Sequence, residues 1–196
     1  LNIHRVLHKN INPTSILIHP GDRQIWLTDF SIASLLPRET QITQIPQNIE
    51  GRLAYIAPEQ TGRMNRGIDF RTDFYSLGIT LYELLTHRLP FQSEDAIKLM
   101  YCHLAKNPVS PHVVNAEIPL PLSAIVLKLM AKNAEDRYQS AAGLKHDLEV
   151  CLHQLNNHQE IEEFELGQED RCDRLIISER LYGREAEVKI LLDSFE

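Results

Sequence analysis

The chain has 196 residues, 43% hydrophobic and 24% charged, which suffices for one substantial core plus a tail and is ordinary for a soluble globular protein. Twenty basic against 27 acidic residues give a formal net charge of -7 with no basic stripe, arguing against nucleic acid or an anionic membrane as the main partner. Cys102, Cys151 and Cys172 are odd in number and widely spaced, no apolar run approaches the roughly 18 residues of a membrane span, and no signal-peptide pattern opens the chain. The expectation is a cytoplasmic protein without disulfides, zinc knuckles or membrane insertion.

In chain order, the first patterned run is His8-Lys-Asn-Ile-Asn-Pro-Thr-Ser-Ile-Leu-Ile18. Ile16–Ile18 and Ile25–Thr28 are short apolar runs around His19-Pro-Gly-Asp-Arg-Gln24, which predicts a hairpin that sets Asp29-Phe-Ser31 down beside that run. Residues 32–50 are polar, carry Pro37 and Pro46, and show no helical period, so they read as a loop. Thr72 is a plausible N-cap for a helix to about His87, whose apolar positions Phe74, Tyr75, Leu77, Ile79, Leu81, Tyr82, Leu84 and Leu85 cover every face, so it is expected to be buried; Leu89-Pro90 stops it. Three amphipathic helices follow: Ile97, Met100, Tyr101 and Leu104 after a Ser93 cap; Leu122, Ile125, Val126, Leu129 and Met130; and Leu144, Leu148, Cys151, Leu152 and Leu155 after a Ser140 cap. Their stripes, with both Met100 and Met130, are assigned to packing around the central helix. From Asn156 to about Asp173 acidic residues dominate, the composition of a solvated linker.

Taken together, these segments resemble the C-terminal lobe of a protein kinase. His8-Lys9-Asn10, then Ser15, stand where that family has His-Arg-Asp and, a few residues on, Asn; Asp29-Phe30-Ser31 stands for Asp-Phe-Gly. Ala57-Pro58-Glu59 matches the end of the activation segment, Asp73-Phe-Tyr-Ser-Leu-Gly78 the start of the central helix, and Arg137 the arginine that pairs with the glutamate. Four matches in order and spacing, over residues 1–155, carry the resemblance. It implies a mainly α, α+β fold: a kinase-like C-lobe with a small β-hairpin (1–155), an acidic linker (156–180) and the start of a second domain (181–196). There Leu181-Tyr-Gly-Arg-Glu185 is similar to the opening of an AAA-type ATPase module. Tyr55 to Arg66 and this junction resemble bacterial serine/threonine kinase-like domains heading large multidomain signalling proteins, where an ATPase module, sensor domains and a histidine kinase follow. The glycine-rich loop and strand lysine of the family's N-terminal lobe are not found in these residues, so the chain is expected to be a C-lobe without its partner.

The resemblance also shows which groups have changed. Asn10 takes the place of the catalytic carboxylate; an amide can orient a hydroxyl but has no usable basicity, which puts a general-base contribution of roughly 100- to 10,000-fold at risk. Asn12 stands for the lysine that balances phosphate charge, Ser15 for the second magnesium ligand, Ser31 for the glycine after Phe30, and Arg52 for a threonine facing the base. Asp29 alone is unaltered among the groups that touch chemistry, and is the implied ligand of Mg-ATP, with Ser15 a weak second. The structural positions His8, Phe30, Tyr55, Glu59, Asp73, Gly78 and Arg137 all match. His4 and His8 at i, i+4 lack the carboxylate of a zinc motif, and His8 is read as a core histidine.

The expected function is therefore a serine/threonine kinase-like domain of a signalling protein, truncated and catalytically impaired, a pseudokinase. An active Mg-ATP-dependent kinase when completed by its N-lobe, and a pure protein-interaction module, are the alternatives. Protein partners or substrates and further domains of the same polypeptide are the expected contacts.

Overall fold

The computed structural model describes residues 6–35, 53–64 and 67–171. The readings placed on His4, Arg52, Cys172 and the second domain at 181–196 lie outside the described residues. The fold is mainly α with two small antiparallel ribbons. Strands β1 (Val6–Leu7) and β4 (Ser34–Leu35) pair Val6 with Leu35, while β2 (Ile16–Ile18) and β3 (Ile25–Leu27) pair Ile16 with Leu27 and Ile18 with Ile25. The β2–β3 hairpin is as expected, closed by His19 N–H to the Gln24 carbonyl at 2.9 Å. Residues 34–35, read as loop, are instead strand β4. Two residues are too short to show a period, and only the distant β1 gives them a partner.

Among the described residues five helices follow: α1 (Arg71–Thr86), α2 (Ala96–Ala105), α3 (Pro111–Val114), α4 (Leu120–Leu129) and α5 (Ala141–His158). Short 3₁₀ turns at Pro13–Ser15, Leu53–Tyr55, Pro58–Thr61 and Ala134–Asp136 shape the connections. One cluster joins Tyr75, Ile79 and Tyr82 of α1 to Leu99 and Met100 of α2 and Val126 of α4; a second joins Ile125, Leu129, Tyr138, Leu144 and Cys151. The helices α1 and α4 cross so closely that a Cβ on Gly78 would lie 2.8 Å from Leu129 Cβ.

The central helix is buried, but much of what it buries is polar: Arg71, Thr72, Asp73, Ser76 and Thr80 are all inside, while Leu84 is exposed. Thr72 is not the N-cap. The helix starts at Arg71, two residues earlier than that cap implies, with Phe70 at the N-cap position; Asp69 accepts from Arg71 N–H at 2.8 Å, and the Thr72 hydroxyl donates to Glu59 at 2.8 Å. Likewise Asp95, not Ser93, caps α2, accepting from Ile97 N–H at 2.8 Å, while Ser93 Oγ accepts from Asp95 N–H. The buried arc of α2 is Leu99, Met100, Cys102 and His103, leaving Ile97 and Tyr101 61% and 65% exposed. Apolar residues ring α2 too widely for hydrophobicity to choose the face, and His103 goes inward because Tyr75 and Phe91 receive it. Ser140 does cap α5, accepting from Gly143 N–H at 2.9 Å, though Leu152 and Leu155 remain exposed.

The acidic segment departs most from expectation. The α5 helix runs on to His158, and beyond it Ile161, Phe164 and Leu166 pack against the second cluster. Over these residues the chain is not a solvated tether: three apolar side chains turn inward between glutamates that face water, a pattern that average composition hides.

Candidate functional site

Asp73, in the first turn of α1, organises the loop that follows β1. Its carboxylate accepts from the backbone N–H of His8 at 2.9 Å and of Lys9 at 2.8 Å. Burial pushes the Asp73 carboxyl up, and those two bonds pull against that shift. Lys9 thereby sits at φ 62, a strained conformation for a residue with a side chain, and the chain turns so that Asn10 faces Asp29. His8 is fully buried with its Nε2 2.8 Å from the Thr28 carbonyl. Because Asn10 N–H points at Nδ1, the imidazole proton belongs on Nε2, which donates to Thr28. The ring meets Phe30 edge-on at 4.6 Å, so one histidine ties the loop to the end of the hairpin.

The hairpin sets Asp29 at φ 58 on the surface. Asn10 Nδ2 donates to Asp29 Oδ2 at 2.6 Å, and Ser31 Oγ donates to Asp29 Oδ1 at 2.7 Å. A carboxylate only accepts, which fixes the amide with its nitrogen toward Asp29 and its oxygen toward Asn12. Asn12 Nδ2 donates to the Asn10 carbonyl at 2.8 Å and to Asn10 Oδ1 at 3.3 Å, while Asn12 Oδ1 accepts from Thr14 N–H at 2.9 Å and caps the turn Pro13–Ser15. Ser15 is buried and engaged locally, its hydroxyl donating to the Asn12 carbonyl at 2.9 Å and accepting from Asn12 N–H at 3.0 Å.

Asn10, Asn12 and Asp29 thus meet, and Ser15 lies beneath them with its hydroxyl turned inward. Of the two positions that hold magnesium with ATP in the kinase reaction, this arrangement offers a donor at Asp29 and none turned outward at Ser15. The family holds magnesium with one Asp carboxylate and one Asn amide oxygen; Asp29 keeps the first, while the hydroxyl at the second is engaged by Asn12. Among the described residues no group of three His, Cys, Asp or Glu side chains is placed to hold a metal.

Glu59 and Arg137 lie apart from this cluster, where Arg137 donates to both Glu59 oxygens at 2.7 and 2.9 Å with both side chains almost fully buried. Burial alone would raise the Glu59 carboxyl, but Arg137 and the Thr72 hydroxyl hold it below the usual range. Sequence reasoning missed Gln60, whose Nε2 donates to the Lys9 carbonyl at 3.2 Å and whose Oε1 accepts from Ala57 N–H at 3.0 Å. It also missed buried Arg71, bound to Asp69 and Gln139; Tyr55, read as a matching structural position, donates to Glu83 at 2.6 Å. An amide and a charged side chain next to matched motif positions were the available signal for Gln60 and Arg71.

Comparison with known proteins agrees with this geometry. The family model of the protein kinase domain matches residues 1–148. The chain is 43% identical over 162 residues to hybrid signal transduction histidine kinase G of Dictyostelium discoideum, covering 72% of this chain and 5% of that protein. It is 36% identical over 143 residues to serine/threonine-protein kinase PknB of Mycobacterium leprae, covering 73% of this chain and 22% of the relative. It is 34% identical over 147 residues to the probable serine/threonine-protein kinase SCO3848 of Streptomyces coelicolor, covering 75% and 21%. The chain therefore spans about a fifth or less of these relatives. An Asp-anchored loop, a hairpin-borne Asp-Phe and a buried Glu–Arg clasp over a mainly helical lobe, together with these matches, place the chain in the protein kinase family.

Proposed function

We propose that this chain is the C-lobe of a serine/threonine kinase-like domain that has lost independent phosphotransfer and works as a regulatory or protein-binding part of a larger signalling polypeptide. The observation that carries this reading is the 2.6 Å bond from Asn10 Nδ2 to Asp29. At the place of the family's proton acceptor stands a group that donates, and it donates to the one matching metal-binding carboxylate. An amide cannot take the hydroxyl proton in the transition state, and Asn12 brings no positive charge to the transferred phosphate. The name of the hybrid histidine kinase relative supports a setting among further domains, and Leu181-Tyr-Gly-Arg-Glu185 is read as the start of an AAA-type module. Net charge -7 favours protein over nucleic-acid partners, and no helix among the described residues is long and apolar enough to cross a membrane. Free, buried Cys102 and Cys151 suit a reducing cytoplasm.

The second reading is an active kinase once an N-terminal lobe completes the cleft, favoured by the retained Asp29 and by relatives named as serine/threonine kinases. A polypeptide carrying a kinase N-lobe ahead of Leu1 separates the two. Phosphotransfer from ATP should stay near background, and Asn10→Asp with Ser15→Asn should raise turnover by orders of magnitude, non-additively because both act in one transition state. Robust transfer by the unrepaired protein, abolished by Asp29→Ala, would return the chain to the active kinases.

A further inference from the structure

The acidic segment after α5 is clasped to the lobe at four points of different chemistry. Ile161, Phe164 and Leu166 join the cluster of Ile125, Leu129, Tyr138, Leu144 and Cys151. Asp170 accepts from Gln139 N–H at 2.7 Å and from the Ser140 hydroxyl at 2.8 Å, so it reinforces the N-terminus of α5. Gly167 N–H donates at 2.8 Å to Asp147, which also accepts from Tyr138 at 2.6 Å. The chain passes so close to α5 that a Cβ on Gly143 would lie 2.5 Å from Asp170 Cβ and 2.6 Å from its Cα.

The residue that Asp170 grips leads to the candidate site. Gln139 Oε1 accepts from Arg71 at 2.9 Å, and Gln139 Nε2 donates to the Arg137 carbonyl at 2.7 Å. Arg137 in turn donates to the Arg71 carbonyl at 2.9 Å and to both oxygens of Glu59. The next residue, Gln60, holds the Lys9 carbonyl, and Asp73, two residues after Arg71, holds the His8 and Lys9 amides. Each hydrogen bond in this series is 3.2 Å or shorter, the steps from Glu59 to Gln60 and from Arg71 to Asp73 run along the backbone, and its middle, Glu59, Arg71 and Arg137, is buried.

We propose that residues 161–170 form a releasable strap whose docking is coupled, through Gln139, Arg71, Arg137 and Glu59, to the loop that carries Asn10. Its three apolar side chains are only half-buried and Glu160, Glu162, Glu163, Glu165 and Glu169 face water, which marks the low-stability end of the fold. Residues 171–196 follow it in sequence, and Asp170 is the strap's anchor nearest to them. The coupling stands whether or not the site transfers phosphate.

Amide hydrogen exchange on the full chain tests it, comparing wild type with Phe164→Ala and with Gly143→Val, which drives a side chain into Asp170. Both variants should speed exchange over 161–170 by at least roughly tenfold and also speed it, to a smaller degree, over 8–12 and 57–61, with α4 unchanged. Rapid wild-type exchange over 161–170 would overturn the docking. Loosening of the strap with no change at 8–12 and 57–61 would overturn the coupling. If Gly143→Val disturbs α4, the milder Phe164→Ala decides, and loss of α4 protection there too would show that the strap is part of the global fold and not releasable.

Discussion

Arg137 uses all five of its N–H donors: Nε to the Ala131 carbonyl, one terminal nitrogen to Glu59 and the Arg71 carbonyl, the other to Glu59 and the Lys132 carbonyl. Arg137→Ala leaves a buried carboxylate and three carbonyls without that partner, a loss of about 3 to 5 kcal/mol. Asn10→Ala removes one donor from Asp29, which water can replace because Asp29 is exposed, and should cost about 1 kcal/mol or less. Denaturant midpoints report the difference, and equal midpoints would contradict it. The identities of these residues were legible from the sequence, because each sits in a motif with a known spacing. Their wiring was less so: Ser15 turns to Asn12 through a local capping box, but that Asn10 donates to Asp29 depends on a hairpin folding back over the loop.

The crossing of α1 and α4 turns on Gly78. Replacing glycine by alanine inside a helix is ordinarily favourable by up to about 1 kcal/mol, but here the new methyl would lie 2.8 Å from Leu129 Cβ and 2.9 Å from Met130 Cγ. Overpacking should prevail, and Gly78→Ala is expected to lower stability by about 1 to 2 kcal/mol, visible as a reduced Tm. A raised Tm would mean that the helices separate without penalty. Helix α2 shows why element existence was easier to read than element orientation: its length and cap region were evident, yet Ile97 and Tyr101 face water while Cys102 and His103 face the core. An apolar ring wider than the core it packs on leaves the rotation to its neighbours.

For the molecule as a whole, buried His103 makes stability pH-dependent. Burial, and next the nearby Lys132 charge, lower its pKa from 6.5 to about 4. With the folded pKa depressed, the unfolded chain takes up the proton first, so stability is full above pH 6.5 and is lost as pH falls toward 4. The loss attributable to His103 approaches roughly 3 kcal/mol. His103→Phe, which keeps the ring packing on Phe91 but cannot titrate, should flatten that part of the profile in chemical denaturation at pH 7, 5.5 and 4. An unchanged slope would assign the acid sensitivity elsewhere. Glu59, held below the ordinary carboxylate range, contributes its loss at lower pH, so the two groups separate.

By itself the sequence determined the kinase-like C-lobe, the β2–β3 hairpin, the helical succession and the replaced residues at Asn10, Asn12 and Ser15, because local periodicity and motif spacing are properties of neighbouring residues. Only the tertiary structure decided which faces were buried, that Asp95 and not Ser93 caps α2, and that Ile161, Phe164 and Leu166 bring an acidic segment back onto the lobe. The physical reason is that burial and hydrogen-bond partnership depend on residues far apart in the chain: Gln139 meets Asp170, and Glu59 meets Arg137, only after the helices between them have packed.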